Sequence, residues 1–159
     1  MTQYRPETAS VDIREEDPAQ PDIVALLAQG EANSAALYPA ESNHHLPLEA
    51  LRRPNVRFFV ARAADGTALA TGAIVLHGDW AEIKRMWVIE PARGRGLSRR
   101  VLARLIACAE AEHVGVLRLE TGVASHAALG LYAGMGFAPR GPFADYAEDP
   151  LSVFMEKRL

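Results

Sequence analysis

Cysteine and long apolar runs are both scarce in this sequence of 159 residues. The chain has one cysteine, which excludes an intrachain disulfide, and Cys108 falls on the apolar face of a helical pattern, as buried thiols usually do. No stretch approaches the length that a membrane-spanning helix needs, and residues 1–6 lack the apolar core of a signal peptide. The sequence therefore predicts a cytoplasmic protein with no membrane partner.

Positive charge is also in short supply. The chain has 17 lysines and arginines against 20 acidic residues, a net charge of −3 at pH 7. Because nucleic-acid-binding domains normally carry a basic surplus, no nucleic-acid partner is predicted. The hydrophobic content of 49% is typical of a globular protein, and no repeat or linker divides the chain. We therefore predict a single domain over residues 1–159.

Glycine and arginine are concentrated in one turn, residues 93–98, between an apolar strand pattern over 83–89 and a helical pattern. The first turn of a helix has unpaired N–H groups and a partial positive charge, and glycines let an anion approach them. The chain has no Gly-Lys pair for a P-loop, and Arg99 stands where a dinucleotide fingerprint needs its third glycine. The turn therefore predicts a different kind of phosphate site. The basic side chains around it are Arg93, Arg95, Arg99 and Arg100.

Two motifs in this order resemble the GNAT superfamily, the acyl-CoA-dependent N-acetyltransferases. The first is Arg93-x-x-Gly96-x-Ser98, preceded by Glu82 and Pro91. The second reads Ser125-x-x-Ala128-x-x-Leu131-Tyr132-x-x-x-Gly136-Phe137. The sequence departs from the family pattern where Ser98 replaces the usual Gly or Ala and where Ser125 replaces the usual Asn. The resemblance covers about residues 11–159 and implies acetyl-CoA as cosubstrate, with no metal.

The same resemblance implies how the cofactor binds. In this family the strand before the glycine-rich turn parts from its parallel neighbour, and its exposed backbone pairs with the pantetheine arm. The pyrophosphate then lies on the turn. The cofactor residues implied for this chain are Met86, Trp87, Val88, Arg93, Gly94, Arg95, Gly96, Leu97, Ser98, Arg99 and Ser125.

The coarse pattern of strands and helices agrees with this resemblance. Hydrophobic periodicity predicts strands over 8–14, 56–62, 68–77, 80–89, 116–121 and 151–157, and helices over 18–37, 47–52, 95–112 and 125–133. Asp65-Gly66 predicts a hairpin turn. The order implies an α/β (α+β) fold of the GNAT type. Its sheet is mixed and mostly antiparallel, with helices on both faces and a strand splay at the acetyl-CoA site.

Acetyl transfer to an amine requires a neutral nitrogen, whereas free amines with a pKa near 10 are mostly protonated at neutral pH. A general base and a general acid for the leaving thiolate would both help. Glu82 matches the position where some family members place a catalytic glutamate, so we predict it as the base. A salt-bridged residue beside Lys84 is the alternative, and Glu120 is the second candidate base. Tyr132 is the predicted acid; the alternative is a tyrosine that only packs beside the cofactor.

The acceptor site is expected in two polar segments, 38–45 and 143–149, from the family's usual arrangement. Glu41 and Asp145, together with catalytic carboxylates, would favour a cationic amine. Adjacent histidines point apart and no third ligand is evident, so His44-His45 predicts no metal site. The predicted acceptor residues are Tyr38, Glu41, Asn43, His44, Glu120 and Tyr146.

The sequence thus predicts an N-acetyltransferase that acetylates a primary amine of a small molecule by direct attack. Two alternatives stay open. An enzyme acting on a protein N-terminus or lysine would need an open groove for the peptide. A non-catalytic acyl-CoA-binding module would bind the cofactor without depending on Glu82 or Tyr132. Family members are often dimers, so a homodimer is a further expectation of the resemblance.

Overall fold

A seven-stranded sheet organises the chain in the computed structural model, which describes residues 4–159. Residues 1–3, part of the segment used to predict the absence of a signal peptide, lie outside the described residues. The strands are β1 (Asp12–Glu15), β2 (Val56–Arg62), β3 (Ala68–Leu76), β4 (Trp80–Val88), β5 (Val116–Gly122), β6 (Ala138–Arg140) and β7 (Ser152–Arg158). The helices are α1 (Pro21–Leu37), α2 (Leu48–Leu51), α3 (Leu97–Ala111) and α4 (His126–Gly134), with short 3-10 turns at Ala40–Ser42 and Glu90–Ala92.

The strands lie in the order β1-β2-β3-β4-β5-β7-β6. Every neighbouring pair is antiparallel except β4 and β5, which confirms the predicted mixed, mostly antiparallel sheet. The parallel pairing extends only from Trp80–Glu82 to Val116–Arg118. Beyond these residues β4 and β5 part, as the predicted splay requires.

Helices cover both faces of the sheet because alternate strand residues point to opposite sides. On β2, Phe58 and Val60 pack with residues of α1 and α2, whereas Phe59 between them packs with α3. Tyr132 of α4 belongs to the same core cluster as α3, so α3 and α4 share a face. This confirms the predicted layers. The helices α1 and α2 lie on the face of the sheet opposite α3 and α4.

Two element boundaries differ from the predicted ranges by three residues or more, and the other predicted boundaries differ by at most two. The first strand begins at Asp12 instead of Thr8, because the Val11 N–H turns back to the Thr8 carbonyl. The first helix begins at Pro21 instead of Pro18, because the Asp17 carboxylate accepts the Ala19 N–H at 3.0 Å and holds a turn there. Proline suits the first helical position, where its missing N–H has no helical partner to lose.

The helices also bear on the predictions for Cys108 and for membrane-spanning segments. Cys108 is 5% exposed within the core, as its position on the helical pattern predicts. Over residues 4–159, none of the helices combines the length and the apolar character that crossing a bilayer demands.

A β-bulge interrupts the pairing of β3 with β4. Thr71 pairs with Trp87 and Ala73 with Lys84, so Gly72 faces two residues, Arg85 and Met86. Arg85 adopts a left-handed conformation (φ 57°), and its carbonyl accepts the Thr71 hydroxyl at 2.8 Å. Met86 points toward α3, whereas Arg85 reaches α1. The bulge therefore turns Arg85 to the same face as Lys84, which a regular strand would not do.

The absence of a side chain at residue 72 is required by packing. A Cβ there would lie 2.8 Å from Val101 Cγ1 and 2.9 Å from Met86 Sδ. We expect Gly72→Ala to lower the free energy of unfolding by about 1–3 kcal/mol through overpacking. Gly141→Ala is the matched control, because a Cβ at residue 141 meets nothing within 4 Å. Urea unfolding measures both, and equal losses in the two variants would contradict this account of the bulge.

Candidate active site

A cavity of about 670 Å³ follows the opening between β4 and β5. Its lining includes the glycine-rich turn, the start of α4, α1, and residues of the segment 38–45, whose part of the cavity we call the acceptor end. The predicted cofactor residues that line it are Met86, Trp87, Val88, Arg93, Gly94, Gly96, Leu97, Ser98 and Ser125. The predicted acid Tyr132 and the acceptor residues Tyr38, Asn43, His44 and Glu120 line it as well. The structure thus brings most of the predicted site into one continuous space.

The glycine-rich turn opens directly into α3. Gly94 and Gly96 are both left-handed (φ 77° and 73°), a conformation that glycine adopts without strain. Gly96 immediately precedes the first helical residue, Leu97, and its carbonyl accepts the first helical bond, from the Arg100 N–H. The unpaired N–H groups of this first turn border the cavity, which is the geometry of a phosphate site.

The four arginines of this region divide into different roles. Arg93 lines the cavity, donates to the Val88 carbonyl at 3.0 Å and lies 4.7 Å above the Trp87 ring. Arg95 donates to the Pro6 carbonyl, and Arg100 donates to the carbonyls of the N-terminal segment at 2.6 and 3.1 Å. Arg95 and Arg99 do not line the cavity. Their predicted contact with the cofactor stays a prediction, and two of the four arginines instead tie down the N-terminal segment.

Tyr132 lies on α4 with 5% of its surface exposed, and its ring packs edge-on against Phe137 at 5.7 Å. Burial, followed by the charge of Glu120, raises the pKa of the Tyr132 hydroxyl above its ordinary value. The phenol therefore holds its proton at neutral pH while lining the cavity.

Tyr38 links the acceptor end of the cavity to the start of α4. Its hydroxyl shares a 2.8 Å hydrogen bond with the hydroxyl of Ser125 and accepts the Ala124 N–H at 3.1 Å. The ring packs directly on the β5 backbone, because a Cβ at Gly122 would overlap it. Ser125, which replaces the family's usual Asn, is therefore bound to the protein's own tyrosine.

The two candidate carboxylates occupy different environments. Glu120 lines the cavity, accepts the Ser152 hydroxyl at 2.9 Å, and has its pKa raised by burial to about 7. Glu82 is 7% exposed and does not line the cavity. It accepts the Tyr146 hydroxyl at 2.5 Å and pairs with Lys84 at 3.2 Å. Glu120 faces the cavity, whereas Glu82 is enclosed in a network behind it.

Lys84 joins the two segments that were expected to build the acceptor site. Its ammonium donates to the Tyr146 hydroxyl at 2.6 Å and to the His44 carbonyl at 2.9 Å. The His44 ring also packs edge-on against Tyr146, with centroids 5.2 Å apart. Tyr146 does not line the cavity, but it contacts Lys84 and His44, which do. Glu41 is exposed and does not line the cavity, so its predicted acceptor contact stays a prediction.

Sequence reasoning assigned no acceptor role to two charged cavity residues, Lys84 and Arg85, and included His45 only as part of the segment 38–45. Partial burial and the nearby Arg85 charge lower the pKa of His45, which favours its neutral imidazole at pH 7. The available signal was the Lys84-Arg85 pair itself, since two consecutive cations are unusual within an otherwise apolar strand. The bulge that turns Lys84 and Arg85 to the same face of the sheet could not be predicted from the hydrophobic periodicity.

Comparison with known proteins agrees with this geometry. The family model described as "Acetyltransferase (GNAT) family" matches residues 23–137. An IAA acetyltransferase of Azospirillum brasilense is 45% identical over 152 residues, spanning 94% of this chain and 99% of the relative. A solved structure from Klebsiella pneumoniae, assigned as an acyl-CoA N-acyltransferase, is 37% identical with a TM-score of 0.82, covering 96% of this chain and 99% of that one.

A more distant structure shares the fold. The PaiA N-acetyltransferase of Thermoplasma acidophilum, solved in complex with coenzyme A, has a TM-score of 0.72 at 15% identity, covering 94% of this chain and 99% of that one. Taken together, the motifs, the sheet and the family match establish that this chain belongs to the GNAT family of acetyltransferases. It is an acetyl-CoA-dependent N-acetyltransferase.

The raised pKa of Glu120 links stability to pH. The folded state binds a proton at Glu120 up to about pH 7, whereas the unfolded chain releases it near 4.5. We therefore expect the contribution of Glu120 to the free energy of unfolding to fall, by up to about 3 kcal/mol, as the pH rises through this window.

Urea unfolding at about pH 4.5 and pH 8 measures this effect in the wild type and in Glu120→Gln, whose amide does not titrate. The wild type should lose more stability than the variant over this range. Glu110→Gln, at an exposed position of α3, controls for removal of a carboxylate. Parallel pH dependence in wild type and Glu120→Gln would contradict the environment assigned to Glu120.

Proposed function

We propose that this enzyme transfers the acetyl group of acetyl-CoA to a primary amine of a small molecule by direct attack. The observation that carries the proposal is the continuity of one cavity, which runs from the glycine-rich turn past Tyr132 to Glu120. A cofactor bound at the turn and an amine bound at the other end would meet between these two side chains.

The cofactor would lie with its pyrophosphate on the N–H groups of the first turn of α3, beside Gly94 and Gly96. Its pantetheine arm would follow β4 along Met86–Val88, where β5 has parted from β4 and no longer pairs with it. The T. acidophilum structure, which has the same fold and was solved in complex with coenzyme A, supports the binding of this cofactor.

Glu120 is the base that the geometry favours. It faces the cavity, and a pKa of about 7 lets its carboxylate accept a proton near neutral pH and return it to solvent. Glu82, the base predicted from the family position, instead accepts a hydrogen bond from Tyr146 and pairs with Lys84. Its catalytic role stays a prediction that the kinetics below separate from that of Glu120.

Tyr132 would protonate the departing thiolate. Its hydroxyl is protonated across the physiological range, because burial and Glu120 both raise its pKa. Tyr132 lines the same cavity as the glycine-rich turn and Glu120, which supports a role beside the expected thioester.

The fixed position of the segment that borders the acceptor end favours a small molecule over a peptide. Tyr38 is bonded to Ser125, the Ser42 hydroxyl donates to Asp149 at 2.6 Å, and the His44 carbonyl accepts from Lys84. These contacts fix residues 38–44 at the border of the cavity at several points. A peptide substrate would need an open groove where this segment lies.

Thiol release from acetyl-CoA tests the proposal against a panel of amino acids, polyamines, amino sugars and short peptides. IAA joins the panel because the A. brasilense relative is named for it. Turnover of a small amine supports the proposal. Turnover of peptides alone would favour protein acetylation, and tight acetyl-CoA binding without any turnover would favour a binding module.

The pH–rate profile distinguishes the two carboxylates. An ammonium substrate and an ionised Glu120 make kcat/KM rise about tenfold per pH unit below pH 7 and then level off. In Glu120→Gln only the neutral amine reacts, so kcat/KM should continue to rise toward the amine's pKa near 10. At neutral pH we expect a loss of about 10²-fold or more in Glu120→Gln.

Glu82→Gln is the paired variant in the same experiment. Loss of the pH 7 transition in Glu82→Gln, with its retention in Glu120→Gln, would assign the base to Glu82. Acetyl-CoA affinity is measured in both variants so that a change in the profile is attributed to chemistry.

Tyr132→Phe removes the proposed acid while keeping the ring that packs on Phe137. We expect kcat at saturating acetyl-CoA and amine to fall by about 10-fold to 10²-fold, with the dissociation constant of acetyl-CoA unchanged. A decrease in rate that disappears at saturating acetyl-CoA would instead assign the hydroxyl to cofactor binding.

A further inference from the structure

Arg85 is a buried cation of the cavity lining whose hydrogen bonds are incomplete. Only 6% of its side chain is exposed, and it lines the acceptor end of the cavity. One terminal nitrogen donates to Glu31 at 2.7 Å and to the Leu46 carbonyl at 2.8 Å. Within residues 4–159, however, the Arg85 Nε is a buried polar atom with no hydrogen-bond partner. Native proteins rarely leave a charged donor buried and unpaired without a reason.

The backbone of Arg85 also adopts a strained conformation, and this conformation directs the side chain to the acceptor end. A non-glycine residue at φ 57° within a strand is uncommon, and it persists only where surrounding contacts hold it. Here the bulge opposite Gly72 and the Thr71 hydroxyl hold it. The consequence is that Arg85 and Lys84, consecutive in sequence, both border the acceptor end.

The lining of this end is richer in positive than in negative charge. Lys84 and Arg85 line it as cations, whereas Glu120, with a pKa near 7, is the one carboxylate among its lining residues. The partner carboxylates Glu82 and Glu31 do not line the cavity. Glu41 and Asp145, expected to make the site attractive to a purely cationic amine, are exposed residues outside the lining.

We propose that the acceptor carries a carboxylate as well as its amine, and that Arg85 binds this carboxylate. The substrate class is therefore an amino acid or a similar amino-carboxylate, with its amine directed toward Glu120. Arginine suits this role because its planar guanidinium matches the geometry of a carboxylate. The neutral His45 beside it adds a hydrogen-bonding group without a competing charge. The inference rests on the proposed acetylation of a small amine and names its substrate class.

The test compares L-amino acids with their carboxamides, which keep the amine and side chain but lack the carboxylate. Thiol release should give a kcat/KM at least about tenfold higher for the preferred acid than for its amide, since hydrogen bonds to charged groups have this magnitude. In Arg85→Met the ratio should fall to about one, through KM and not through kcat. Arg52→Met, which removes an exposed arginine paired with Asp17, should leave the ratio unchanged.

Glu31→Gln provides a second variant that leaves the bulge intact. Glu31 competes with a substrate carboxylate for the Arg85 guanidinium, so this substitution should lower KM for the acid and not for the amide. Circular dichroism and acetyl-CoA affinity establish that each variant folds. If Arg85→Met does not fold, Arg85→Lys, which cannot bind a carboxylate at two nitrogens, should show a partial loss of the ratio.

Calorimetric binding of the amino acids in the presence of coenzyme A separates this inference from the proposed function. Amines acetylated with no preference for a carboxylate, or a ratio unchanged in Arg85→Met, would overturn the inference and leave the acetylation intact. Carboxylate binding that depends on Arg85, without turnover of any amine, would support the inference and overturn the function. Absence of both binding and preference would overturn the inference.

Discussion

The site depends on the fact that β4 and β5 stop pairing after three residues. The two strands share a parallel ladder from Trp80–Glu82 to Val116–Arg118 and then part. Backbone N–H and C=O groups are obligatory hydrogen-bonding groups, so the inner edge of β4 beyond the ladder is suited to a ligand that offers amides. The same parting makes the cavity, separates Lys84 from Glu120, and directs the end of β4 into the turn that begins α3. One interruption of the sheet therefore shapes the space in which the proposed function places both substrates.

The acceptor end is stabilised by polar contacts between segments distant in sequence. Lys84 binds Tyr146 and the His44 carbonyl, Tyr38 packs against β5 and bonds Ser125, and Ser42 bonds Asp149. In the segment 143–149, Phe143 and Tyr146 pack against each other and against Phe154 of β7, which anchors this segment on the sheet. Because these contacts are made inside the protein, the acceptor end is preorganised, and Glu82 contributes to its shape through Tyr146.

Much of the fold followed from local signals in the sequence. Strand and helix periodicity, the Asp65-Gly66 hairpin and the glycine-rich turn predicted the order of elements, and the cavity collects most residues of the two motifs. The remainder depended on tertiary geometry. The bulge at Arg85 changes the face of one side chain without changing composition, so periodicity assigned Arg85 no role. Likewise, the neighbours of Arg95, Glu82 and Glu120 come from other elements, and only the assembled sheet distinguishes an anchoring arginine or a network carboxylate from a cavity residue.

Backbone hydrogen exchange of the enzyme with and without acetyl-CoA tests the central claim most directly. The account predicts new protection at the amides of β4 after the ladder, residues 86–88, and at those of residues 94–98 in the glycine-rich turn. Residues 80–82, already paired with β5, should change little. Protection that appears elsewhere while these two segments exchange as before would contradict the claim that the opening between β4 and β5 holds the cofactor.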